Sequence, residues 1–265
     1  MADFKGRALK MHYVEQGEGP SVVFVHGLVM DHTMYEAQFE DLPDSYRCIA
    51  VDLRGHGHSQ TPPGPWSMQD SVVDIIEFIE GVHAAPCHLV GMSWGGMIAL
   101  RIAVQRPELV RSLVLIDTSA AAEDPALAEL RRTFFMEPIA AHGMTDQLIA
   151  ASIPILFGPA YAADEQAMAV YADRVKTMKR EAIVEGLRAV LERDSVLDRL
   201  GEIRVPTLVI HGEKDASIAV SEAEAMANGI PGAELVQIPD AGHSTPLEAP
   251  DSVNAALAKF FARAN

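Results

Sequence analysis

The 265-residue chain predicts an α/β fold: a mostly parallel β-sheet flanked by helices, with an inserted helical cap. Three observations carry this reading. Short, continuously apolar runs recur along the chain, helix-length amphipathic or apolar stretches separate them, and one long central segment contains helical patterns without a strand-like run.

In chain order, Leu9, Met11 and Tyr13 alternate as a half-exposed edge strand does. Apolar runs follow at Val22–Val25, Cys48–Val51, Cys87–Val90, Leu113–Ile116, Thr207–Ile210 and Leu235–Ile238. Runs of this kind belong to strands covered by helices on both faces. Ser67 is placed to cap a helix in which Val72, Ile75, Ile76 and Ile79 recur at helical spacing, with Asp70 in the first turn. Residues 94–105 are almost wholly apolar until Pro107 ends the run, which predicts a helix buried against the sheet. Val253, Leu257 and Phe260 form a last helical stripe.

From about residue 122 to 200 the pattern changes. Leu127, Leu130 and Phe134, then Leu148 and Ile149, then Met168, Tyr171 and Val175, then Ile183, Leu187, Val190 and Leu191 predict four helices, punctuated by Pro125, Pro138, Pro154 and Pro159. The expected organisation is a core made of residues 1–121 and 201–265, with residues 122–200 inserted as the cap.

A net charge of −16 argues against nucleic acid or an anionic membrane as a partner, because either needs a basic patch to neutralise phosphates. The stretch MADFKGRALK lacks the apolar core of a secretion signal, and no apolar run reaches the ~20 residues that span a bilayer, so a cytoplasmic protein is expected. Both cysteines, Cys48 and Cys87, fall inside strand-like runs, as buried reduced thiols do.

The chemistry concentrates at VGMSWGG. Ser93 lies between Gly91 and Gly95, directly after an apolar run and directly before an apolar helix. A serine at the tip of a sharp strand-to-helix turn needs glycine on both sides, because side chains there would collide as the chain folds back. By composition alone about one chain in ten of this length carries Gly-x-Ser-x-Gly, so its context has to supply the weight. A serine hydroxyl is a poor nucleophile at neutral pH and requires a base, which in turn requires an orienting acid. His243, in PDAGHSTPLE, follows the last strand-like run, and Asp215, in HGEKDASI, follows the run ending at Ile210. Both loops leave the carboxyl edge of the predicted sheet.

The order Ser, Asp, His with Gly-x-Ser-x-Gly on a strand–turn–helix resembles the α/β-hydrolase fold superfamily. The likeness runs through HGLVMDH, DLRGHGHS, VGMSWGG, the helical insertion, HGEKD and AGH, and is greatest to small bacterial carboxylesterases and lactonases such as 3-oxoadipate enol-lactonases. It implies an eight-stranded sheet, a Ser93 nucleophile, a His243 base and an Asp215 acid; some members place the acid after the preceding strand, where Asp117 stands. It further implies an oxyanion hole from the backbone N–H groups of Leu28 and Trp94. The strand carrying His26 would separate Cys48 from Cys87, too far for a disulfide.

The expected partner is a small ester or lactone, with no cofactor. Acyl transfer to peroxide, carbon–carbon bond hydrolysis and ligand reception without turnover are the alternatives on this fold. Haloalkane dehalogenases and epoxide hydrolases attack with a carboxylate, which position 93 lacks.

The apolar groups expected to face the substrate are Met30, Trp94, Phe134, Phe135 and Met136; Arg131 and Arg132, which could meet a substrate carboxylate, read instead as a solvated helix face. His26 reads as a brace for the oxyanion loop, and Asp52 and Arg54 as loop anchors. Asp31 with His32 reads as an isolated pair, and no spacing suggests a metal site.

Overall fold

The computed structural model describes residues 1–42 and 45–264. Among them, eight strands form one sheet: β1 (Ala2–Lys5), β2 (Lys10–Gln16), β3 (Ser21–Val25), β4 (Arg47–Val51), β5 (Cys87–Met92), β6 (Val110–Ile116), β7 (Thr207–Gly212) and β8 (Glu234–Ile238). The spatial order is β1-β2-β4-β3-β5-β6-β7-β8. The β1–β2 and β2–β4 pairings are antiparallel and all the others parallel.

Two strands differ from expectation. The run at Leu9–Tyr13 is not the edge, because β1 pairs outside it from Ala2↔Tyr13 to Lys5↔Lys10. Its sequence, ADFK, offers almost no apolar pattern, and backbone pairing holds it. At the opposite edge, β8 is buried only at Ile238, since with a single neighbouring strand its remaining side chains stay partly or fully exposed.

Helices α1 (Glu36–Asp41), α2 (Met68–Gly81) and α3 (Trp94–Gln105) alternate with the early strands. Between β6 and β7 lie α4 (Pro125–Arg131), a π-helical turn (Arg132–Met136), α5 (Glu137–His142), α6 (Asp146–Leu156), α7 (Pro159–Ala162), α8 (Glu165–Thr177) and α9 (Arg180–Leu191). The chain ends with α10 (Val220–Gly229), α11 (Thr245–Glu248) and α12 (Pro250–Ala264). Ser67 and Asp70 form the full reciprocal capping box of α2.

The central segment therefore divides more finely than the four predicted helices. Pro125, Pro138 and Pro159 stand in first turns, where a missing N–H costs nothing, but Pro154 lies inside α6 rather than between helices.

Period-two alternation along the strands fills two cores. Val23 and Val25 of β3 pack on one face of the sheet, with residues of α2 and α3. Val22 and Phe24 pack on the other, with α12 and the helices that follow β6. Cys48 and Cys87 are free and buried in different cores, with β3 between their strands, as expected.

Candidate active site

Ser93 joins β5 directly to α3 with φ 51° and ψ −114°, a strained conformation for a residue with a side chain. The glycines around it are sterically required. A Cβ on Gly91 would lie 2.3 Å from the Gly95 carbonyl oxygen, and one on Gly95 would lie 2.0 Å from that of Val25. The strain is held by neighbouring bonds: Ser93 N–H donates to Ile116 O at 2.9 Å, and Thr118 Oγ1 donates to Ser93 O at 2.7 Å.

His243 and Asp215 reach this serine from the loops after β8 and β7. The Ser93 hydroxyl lies 2.9 Å from His243 Nε2, and His243 Nδ1 lies 2.8 Å from Asp215 Oδ2. The other Asp215 oxygen accepts the N–H groups of Ser217 (2.7 Å) and Ile218 (2.9 Å), which fixes the carboxylate. Burial works to lower the His243 pKa, but the charge and hydrogen bond of Asp215 outweigh it, and the imidazole ends above its ordinary 6.5. Burial likewise opposes ionisation of Asp215, yet His243 and the surrounding N–H donors bring its pKa below the usual value.

Asp117, the other position for an acid, makes no hydrogen bond to the histidine. Its oxygens accept from Gly212 N–H, Thr245 N–H and Thr245 Oγ1, so it ties the loop after β6 to β7 and α11. Burial and then the neighbouring Asp215 charge push its pKa up to about 8.

Glu248 is a positioning residue that the sequence does not advertise. Its carboxylate accepts Gly242 N–H (2.8 Å) and Ser244 N–H (2.9 Å), on either side of His243, and also Gly158 N–H (2.8 Å) between α6 and α7.

The loop after β3 runs against Ser93. A Cβ on Gly27 would meet Ser93 Cβ at 3.3 Å, and Val29 takes a φ of 57°. Among the described residues, no backbone carbonyl accepts the N–H of Leu28 or of Trp94. His26 braces this loop: Nδ1 donates to Gly27 O at 2.7 Å, and Nε2 accepts Leu53 N–H at 2.9 Å. Arg54 binds Asp74 at 2.6 Å. His32 pairs with Asp52 (2.8 Å) rather than with Asp31, which instead binds Arg174 of α8 at 3.2 Å.

Residues 20–250 match the family model of the α/β hydrolase fold. The chain belongs to the α/β-hydrolase fold family. A thermophilic esterase from Thermogutta terrifontis, solved with malate bound, superposes with a TM-score of 0.90 at 31% identity, covering 97% of this chain and 94% of that one. The enol-lactonase of Burkholderia xenovorans superposes at 0.91 with 24% identity over 98% and 100% of the two chains, a likeness of fold. Haloalkane dehalogenase 2 of Mycobacterium tuberculosis is 29% identical, with 95% of this chain and 91% of that protein aligned.

In this α/β hydrolase, Ser93 and His243 open onto a cavity of about 580 Å³. Leu28, Met30, Phe135, Ile139 and Leu187 contribute to its apolar wall. Three expected wall residues are elsewhere. Trp94 is fully buried behind the turn, with its ring 5.3 Å from that of His56 and its side chain absent from the cavity. Phe134 is 60% exposed, and Met136 does not reach the lining. Consecutive residues on a helix point about 100° apart, so three in a row cannot share one face, and here Phe135 is the one that faces the cavity.

The cavity also has a polar end that the sequence did not reveal. Arg131, expected on a solvated face, donates to Glu123 at 3.0 Å and to Ser217 O at 2.7 Å, while Arg193 reaches the same Glu123 oxygen at 3.1 Å. Ser119 Oγ donates to Glu222 nearby at 2.7 Å. Arg132 pairs outside with Glu129, as a surface residue does.

Proposed function

We propose that this protein is a serine hydrolase that cleaves a small carboxylic ester or lactone through an acyl-enzyme on Ser93, without a cofactor in the reaction. The observation that carries this reading is the unbroken contact from Ser93 Oγ to His243 Nε2 and from His243 Nδ1 to Asp215, at the mouth of a mostly apolar cavity. His243 takes the hydroxyl proton as Ser93 Oγ attacks the carbonyl carbon, and the carbonyl π electrons move onto oxygen. The N–H groups of Leu28 and Trp94 receive that oxyanion, each contributing roughly 3 kcal/mol of transition-state stabilisation.

As the tetrahedral intermediate collapses, His243 hands the proton to the departing alkoxide. Water then repeats the sequence on the acyl-enzyme and releases the acid. Asp215 keeps the proton-bearing nitrogen of the imidazole turned away from the serine and balances the imidazolium charge. A serine at position 93 separates this chemistry from that of its dehalogenase relative, since a dehalogenase of this fold needs a carboxylate there.

The test is covalent labelling with a fluorophosphonate beside a panel of short-chain esters and lactones, with and without peroxide. Stoichiometric labelling at Ser93 and turnover of an ester or lactone without peroxide are expected. Turnover only with peroxide would replace hydrolysis by perhydrolysis, and labelling at another residue would remove Ser93 as the nucleophile.

A further inference from the structure

Away from the serine, three imidazoles converge from separate parts of the chain. His12 lies on β2, His32 opens the short 3₁₀ helix after β3, and His58 lies in the loop after β4. Their ring centroids are 5.5 Å (His12 to His32), 5.0 Å (His12 to His58) and 6.2 Å (His32 to His58) apart. Tetrahedral zinc at about 2.0–2.1 Å from each nitrogen spaces the ring centroids of its histidine ligands by about 5 Å, close to the spacing of His12 from its two neighbours.

Two carboxylates stand behind them. Asp3 Oδ1 is 3.3 Å from His12 Nδ1, and Asp52 Oδ1 is 2.8 Å from His32 Nδ1. Carboxylates in this position fix the tautomer of metal-binding histidines and aim the other ring nitrogen at the ion. Asp52 is already occupied by the N–H groups of His32 and His58, which suits it to orienting rather than ligating. On His12, which is only 8% exposed, the remaining nitrogen Nε2 is buried and has no hydrogen-bond partner. A buried nitrogen without a hydrogen-bond partner is destabilising unless something binds it. Ligand atoms of His12, His32 and Asp52 already come within 4.8 Å of one another, whereas His58 is exposed and stands outside that group, so its ring must turn to join them. The other such group, Asp117, His211 and Asp215, includes the acid that holds His243.

We propose that His12, His32 and His58 bind one divalent transition-metal ion of the zinc class, with Asp3 and Asp52 orienting the first two rings. Imidazole donors suit zinc, nickel or copper, and oxygen-seeking calcium and magnesium do not fit this set. A bound ion ties β2 to the loops after β3 and β4. It thereby anchors the 3₁₀ helix that begins two residues after Met30 of the cavity wall.

The experiment uses untagged, chelator-treated protein titrated with cobalt(II) and then zinc(II). One cobalt per chain should give the intense visible bands of a low-coordinate site, and zinc should abolish them. Zinc at about ten times its Kd should raise Tm by about 2–3 °C. The partly exposed and exposed variants His32→Gln and His58→Gln should each weaken zinc binding at least tenfold, and Asp3→Asn by about tenfold. Absence of the cobalt bands from the wild-type protein, or zinc affinity unchanged in both His→Gln variants, would overturn the site. His12→Gln is set aside because a buried substitution can disturb folding itself.

Discussion

The sheet edge carrying Ser93, Asp215 and His243 and the helical wall facing it are built in opposite ways. At the sheet edge the main chain does the placing: a serine at φ 51°, glycines that admit no Cβ and loops leaving the ends of β7 and β8. In the wall, side-chain packing decides which group faces the cavity, and neighbouring residues such as Phe134 and Phe135 part ways. Substitutions at the edge should therefore remove chemistry at little cost in binding, whereas substitutions in the wall should alter binding at little cost in chemistry.

The sharpest break is Ser93→Ala. It should lower kcat by about 10⁶ while Tm, followed by circular dichroism, stays within about 2 °C. Activity within a few-fold of wild type would dismiss Ser93 from the chemistry.

Next in size is Asp215→Asn, expected to lower kcat by about 10⁴ through loss of the correct histidine tautomer. It also sharpens a pH argument. Protonated His243 cannot accept the serine proton, so activity is lost as pH falls through the histidine pKa. Because Asp215 raises that pKa, the acid limb of kcat/KM on an activated ester should sit above the ordinary 6.5 of histidine. In Asp215→Asn the charge is gone and the midpoint should move to lower pH. An acid limb in the same place in both proteins would show that His243 and Asp215 do not titrate as a unit.

These differences in construction decide what the sequence makes legible. Gly91, Ser93 and Gly95 are readable because a close backbone approach tolerates few residue types, and Asp215 and His243 are readable because they follow strand-like runs. β1 escapes notice because its pairing with β2 uses backbone groups that every sequence has. Arg131 and Arg193 escape because a charged residue on a helix reads as solvated until its partners, here Glu123 and Ser217, are known. His12, His32 and His58 come together only through the order of β2, β4 and β3 in the sheet, so no local spacing signals them. Glu248 has the same character: its three N–H partners come from two loops distant in sequence.

Glu248→Gln tests the junction of the two regions. The amide keeps the size of the side chain but presents one carbonyl oxygen where the carboxylate accepts three N–H groups with two. Looser placement of His243 should lower kcat by about tenfold with KM nearly unchanged. A change confined to KM would assign Glu248 to the wall.

The smallest effects come from the wall itself, where Phe134 and Phe135 form a matched pair. Phe135→Ala removes an aromatic ring from the cavity lining and should raise KM about tenfold, with kcat within about threefold of wild type. Phe134→Ala removes the same ring from a side chain that is 60% exposed, so KM, kcat and Tm should all stay close to wild type. Steady-state kinetics on one ester and a thermal melt of each variant decide the matter. Equal KM effects from the two substitutions would mean that the turn at Arg132–Met136 does not hold Phe135 inward and Phe134 outward in solution. A large loss of kcat from Phe135→Ala alone would show instead that the wall helps to align the carbonyl with Ser93, and the division of labour between edge and wall would then fail at that residue.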